Sequence, residues 1–193
     1  MRAAPWLVVS ALLATPSLAK ADVPSRTLEL DAYGGLARRG GLSAPDAISS
    51  RNGGGALAAT VLLRSRYFLA PFLDVAYYPL SAGERAADLG RGPELVTNRA
   101  WTFGITAGAA LDVWRLRLSA GLGAYDLRVQ TWAAGERSTV NEIDFGYVVG
   151  VAVYPVVERR IRVGLSARAA LMVEAEIPVL SIGLTLGGDA LSF

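Results

Sequence analysis

The stretch 101-WTFGITAGAALDV-113 alternates with period two. Trp101, Phe103, Ile105, Ala107, Ala109, Leu111 and Val113 share one parity; Thr102, Gly104, Thr106, Gly108, Ala110 and Asp112 share the other. Side chains of a strand point to alternate faces, so this pattern predicts a strand with one apolar face and one small or polar face. Soluble sheets use strands of ~5–6 residues, whereas ~9–11 tilted residues cross a bilayer. The segment belongs to the longer class.

Working outward, the same alternation recurs at 27–33, 57–64, 72–78, 116–123, 142–153, 162–174 and 180–187. Leu28, Leu30 and Ala32 alternate with Thr27, Glu29, Asp31 and Tyr33, and Val163, Leu165 and Ala167 with Arg162, Gly164, Ser166 and Arg168. The whole set predicts an all-β fold, an eight-stranded antiparallel up-and-down transmembrane β-barrel. The two faces decide which side meets lipid. A soluble barrel fills its interior with bulky apolar side chains. Here the face opposite the apolar one holds mostly Gly, Ala, Ser, Thr and charges, which suit the narrow interior of an eight-stranded barrel. A soluble periplasmic β-barrel binding protein is the rival architecture.

The connections alternate in length. Long polar stretches at Ala37–Gly54 and Ser81–Arg99 and a medium one at Ala133–Thr139 are predicted as outer loops. Tight turns are expected at Ser65–Phe68, Trp114-Arg115 and Val156–Arg160, and a short last loop at Glu176–Val179. Short periplasmic turns and longer extracellular loops are the pattern of outer-membrane barrels. Tyr67, Phe68, Tyr77, Tyr78, Trp101, Trp114, Trp132 and Tyr154 cluster near strand ends and read as two aromatic girdles at headgroup depth.

Composition removes several functions. Of 193 residues, 52% are apolar, which excludes a disordered chain. Without cysteine there is no disulfide framework, no thiolate metal site and no lipoprotein anchor. Without histidine there is no Ser-His-Asp triad. Residues 1–21 read as a secretory signal peptide, removed on export. Arg2 supplies the positive region, residues 6–14 the apolar core, and Ala19-Lys20-Ala21 the cleavage site. Losing Arg2 and Lys20 with it balances the remaining 17 basic residues against 17 acidic ones. That neutral mature domain, 22–193, carries no basic footprint for nucleic acid. No cofactor or metal site is expected: Gly53-Gly54-Gly55 lacks the ending of a phosphate loop.

On these features the chain resembles the small eight-stranded outer-membrane β-barrel family, the OmpA/OmpX-like transmembrane domains, from Thr27 to Phe193. The closing residues add to the resemblance. Members of this family end in an aromatic residue preceded by alternating apolar positions, which the barrel-assembly machinery recognises. Leu191 and Phe193 match that assembly signal; Gly187 and Asp189 depart from it. The apolar parity changes between Leu186 and Leu191, which predicts a bulge or an alternative register near Gly187-Gly188. Nothing after the barrel matches the peptidoglycan-binding domain that OmpA members often carry.

The face opposite the apolar one places Glu29, Asp31, Arg64, Asp74, Asp112, Arg117, Glu142, Asp144, Arg162, Arg168 and Glu174 in the lumen. Unpaired charges there would be costly, so the acids and arginines are expected to form cross-strand pairs. Glu142 and Asp144 also form the one conceivable acid dyad, for which solvation or ion pairing is the simpler reading. The expected protein is non-enzymatic, with a closed polar lumen. It lies in the outer membrane, among lipid and lipopolysaccharide, and acts structurally or through its outer loops. A passive transporter or small pore, for ions or apolar molecules, is the alternative. Nothing in the sequence bears on oligomeric state.

Overall fold

The computed structural model describes residues 26–40, 53–65, 68–88, 93–133, 135–158 and 160–192. The expected signal peptide 1–21, Tyr67 and Phe193 lie outside the described residues, as does most of the expected first outer loop. Eight strands follow in chain order: β1 (Arg26–Arg39), β2 (Gly53–Ser65), β3 (Leu69–Asp88), β4 (Pro93–Val113), β5 (Leu116–Ala133), β6 (Glu136–Glu158), β7 (Ile161–Met172) and β8 (Ile177–Ser192). Each pairs antiparallel with its chain neighbour, and β1 pairs with β8 to close the barrel. Closure satisfies every strand edge, which an open sheet in lipid could not do.

The parity of 101–113 sorts the two faces. Thr102, Gly104, Thr106 and Ala110 are buried, while Phe103, Ile105, Ala107 and Ala109 are exposed. The outward side of every strand repeats this. Leu36, Leu57, Leu73, Ile105, Leu122, Phe145, Leu165 and Leu180, one from each strand around the wall, are each more than half exposed. An apolar surface that encircles a closed barrel is suited to lipid and not to water. The soluble alternative has its bulky residues on the wrong side.

Three expectations about the ends of the strands are corrected. The described residues of Ser81–Arg99 are paired strand and not open loop. β3 and β4 stay paired to Asp88 and Pro93, and β5 and β6 to Ala133 and Glu136. The backbone ladder satisfies itself whether or not one face is apolar. Hydropathy therefore read these segments as loops. β3 to β6 are 18 to 23 residues long, about ten more than a bilayer needs, so both hairpins stand clear of the apolar band. The parity change in β8 is resolved by a shift at Ala190. Leu28 faces Leu191 and Glu29 faces Asp189, leaving Ala190 unpaired with β1.

Two of the aromatics assigned to the girdles, Tyr78 and Tyr154, are buried inside the barrel. Both sit on inward parity, so their place near a strand end misled. They belong to a lumen that differs from the uniformly polar one expected. Its half nearest the outer hairpins is apolar, built from Tyr33, Tyr78, Leu80, Tyr125, Met172 and Val179. Leu80 continues the inward parity of Ala76 and Tyr78, and a register shift between Pro79 and Ser81 turns Ser81 inward beside it. Tyr125 fills space left by two glycines. A Cβ on Gly104 would come within 2.5 Å of its ring, and one on Gly146 within 2.9 Å.

Candidate functional site: a charged lumen and a raised outer rim

β1 and β5 begin at the turn end of the barrel, β2 and β4 finish there, and β7 begins there. Antiparallel pairing therefore brings Glu29, Asp31, Arg64, Asp112, Arg117 and Arg162 to one level, although they span most of the chain. Arg117 is the hub. Its Nε donates to Asp112 Oδ1 at 2.6 Å and its Nη2 to Asp112 Oδ2 at 2.8 Å. The same Nη2 donates to Glu29 Oε2 at 3.1 Å, and Nη1 lies 3.0 Å from Glu29 Oε1 and pairs with Asp31. Arg64 bridges Glu29 at 3.4 Å and pairs with Asp112; Arg162 pairs with Glu29 and lies 3.6 Å from Asp112. Three acids thus meet three arginines. Glu29 is fully buried, so its charge is tolerable only with these partners.

Sequence reasoning missed Tyr154 here. Its ring lies under two guanidiniums, 5.5 Å from that of Arg117 and 5.3 Å from that of Arg162. Its hydroxyl donates to Asp31 Oδ2 at 3.3 Å. The signal was available: Tyr154 continues the inward parity of Val148 and Ala152. Gly187 makes room from β8, since a Cβ there would collide with the Asp31 carboxylate.

One level further in, Arg168 pairs with Asp74, which also accepts from Thr60 Oγ1 at 2.6 Å. The Arg168 guanidinium stacks 5.6 Å over Tyr33, where the charged part of the lumen meets the apolar part. A cavity of about 50 Å³ lies between the two ion-pair levels, lined by Asp31, Thr60, Asp74, Arg117 and Arg168 among others. That is room for a few waters and no more.

The remaining predicted charges go elsewhere. Asp144 is buried but joins neither level. Its two oxygens accept the backbone N–H groups of Glu174 at 3.0 Å and Ala175 at 2.8 Å, pinning the β7–β8 turn. Glu174 lies in that turn and is exposed. Glu142 is exposed too, because its part of β6 stands above the barrel. The two members of the conceivable acid dyad are therefore apart in role: one carboxylate holds backbone, the other faces solvent. Among the described residues no cluster of three metal-ligating side chains occurs. Leu191 is exposed on β8, in register with Leu28.

A closed ring of eight strands, an apolar outer wall and a charge-paired interior define the architecture. The chain has the fold of the small eight-stranded outer-membrane barrels. This outer-membrane type of barrel is similar to Ail, the attachment invasion locus protein of Yersinia pestis, with a TM-score of 0.60 and 11% identity over 86% of this chain and 99% of that one. Ail in complex with the heparin analogue sucrose octasulfate matches with a TM-score of 0.58, at 11% identity over 86% and 98%. Neisserial surface protein A matches with a TM-score of 0.50, at 14% identity over 84% and 96%. No family model and no curated protein matches the sequence. At such identities the likeness is one of fold.

The outward face of the raised hairpins is the other candidate site of this outer-membrane-type barrel. Above the apolar band, Arg99 on β4, Arg128 and Trp132 on β5, and Arg137 on β6 share the outward parity. The Trp132 ring has the guanidiniums of Arg99 and Arg137 at 5.8 and 5.5 Å. Arg128 is held by Asp126 at 2.6 Å. No carboxylate among the described residues bridges Arg99 or Arg137.

Proposed function

We propose that the chain is an exported, non-enzymatic outer-membrane barrel with a closed lumen, and that it acts through surface binding at its outer hairpins. In this reading residues 1–21 direct export, 22–193 form the barrel, and Leu191 and Phe193 present the assembly signal. Lipopolysaccharide surrounds the wall. The carrying observation is the rim: the β3–β4 and β5–β6 hairpins rise past the apolar band and present Arg99, Trp132 and Arg137 outward.

A rigid paired hairpin positions its side chains better than an open loop, at less ordering cost on binding. Guanidiniums held at an indole with no acid bridging them suit an anionic partner such as a phosphorylated or sulfated saccharide. The complex of Ail with a heparin analogue is a precedent on the same fold. The pore alternative has less support. A conducting path would have to cross both ion-pair levels and the apolar layer around Tyr78 and Tyr125.

The test uses cells displaying the full chain and immobilised heparin as probe. Retention should be salt-sensitive and fall at least tenfold in the Arg99→Gln/Arg137→Gln double variant. Equal retention of the variant and the parent, at equal surface amounts, would remove the surface-binding reading.

A further inference from the structure

Alanines interrupt the branched outer wall in several places, Ala107 and Ala109 on β4 among them, and one such interruption is on β7. Its outward residues Ala167 and Ala169 lie between Leu165 and Leu171. Their neighbours in register are taller: Val151 and Val149 on β6, and Ile182 and Leu180 on β8. The result is an apolar notch of about 670 Å³ on the outside of the barrel. It reaches from Val149 and Val151 on β6, over β7 and β8, to Leu36 and Arg38 on β1, an apolar seat ~14 Å across at a strand spacing of ~4.8 Å.

Arg38 completes the site. It is the penultimate residue of β1, points outward in register with Leu180, and lines the same notch at the end nearest the outer loops. No carboxylate among the described residues pairs with it. A cation at the edge of the hydrocarbon favours an anion at headgroup depth. A second outer-wall groove of about 530 Å³, nearer the turn end and lined by Ala32, Ala59 and Ala190, has Asp189 at its edge and no arginine. It serves as an internal control of similar size and opposite charge.

We propose that the β6–β7–β8 notch is a lipid site: one acyl chain of an anionic lipid lies over Ala167 and Ala169, and its phosphate pairs with Arg38. The proposal rests on the membrane reading above. The full chain is placed in nanodiscs of phosphatidylcholine containing a minor fraction of phosphatidylglycerol, and barrels released from the discs are weighed with their retained lipid. The expected result is one phosphatidylglycerol per barrel, lost in Arg38→Gln and in Ala169→Leu and kept in Ala59→Leu, which fills the control groove. Arg38→Gln changes no packed residue, so it tests the site even where Ala169→Leu folds poorly. Equal retention in all four proteins, or equal retention of phosphatidylcholine, overturns the lipid site alone. A dimer that Ala169→Leu converts to monomer also overturns it, by assigning the notch to a second copy of the chain. Wild-type protein that stays soluble outside the discs overturns the membrane reading and this site with it.

Discussion

Asp112 and Arg117 face each other directly across the β4–β5 hairpin, joined by two hydrogen bonds of 2.6 and 2.8 Å. The Trp114-Arg115 turn makes this pairing local. Trp114 adopts a left-handed φ of 56°, and the Arg115 guanidinium stacks 5.2 Å over its ring and donates to Pro155 O at 3.1 Å. One hairpin therefore contains the centre of the lumenal network. Its long-range partners Glu29, Asp31, Arg64 and Arg162 come from β1, β2 and β7.

Removing that centre leaves buried carboxylates short of a partner. Arg117→Leu is expected to cost ~3–5 kcal/mol, the usual effect of breaking a buried ion pair from one side. Arg117→Lys should recover part of this, since an ammonium cannot reproduce the two-donor grip on Asp112. Urea unfolding of barrels folded into lipid vesicles measures both. A loss under ~1 kcal/mol in Arg117→Leu would show that the network contributes little to stability.

Gly104 and Tyr125 form a packing pair. Gly104→Val would push a branched side chain into the Tyr125 ring and should destabilise by ~1–3 kcal/mol or more. The clash disappears in a Tyr125→Ala background, so the double variant should be more stable than the sum of its parts predicts. A double-mutant cycle with no coupling would mean that the ring does not occupy that space.

The outer wall should reject charge and the rim should accept it. Ile105→Arg places a cation in the apolar band, with an expected cost of ~2–4 kcal/mol at mid-depth. Thr139→Arg, on the outward face of the raised β6 hairpin, should be near neutral. Folding yield into vesicles, read by gel mobility without heating, distinguishes them. Equal yields would place the bilayer elsewhere on the barrel.

Ion pairs cross the lumen at one level and apolar packing at another, and the proposed closed lumen rests on both. The wild-type protein should therefore give no stable single-channel conductance in a planar bilayer. Opening one level alone, by Arg117→Ala, should leave it closed, because Tyr78, Leu80 and Met172 remain buried above. Steady conductance from the wild type, altered by Arg117→Ala, would support the pore alternative.

The sequence by itself determined the strand class and the two faces. Parity is a local property: a strand cannot turn Ile105 outward without turning Thr106 inward, so 101–113 carried its own assignment. Hydropathy then separated wall from lumen, and Glu29, Asp31, Arg64, Asp112, Arg117 and Arg162 were legible as inward charges. Tertiary structure decided which of them meet. Glu142, Asp144 and Glu174 have comparable local patterns, yet two are exposed and the third holds a turn, because height along the barrel depends on register and strand tilt. The extended hairpins were hidden for a related reason: backbone pairing stabilises them without an apolar face, and hydropathy registers only the face. The notch beside Arg38 also exists only in three dimensions. Its floor, walls and cation come from four strands that closure brings side by side.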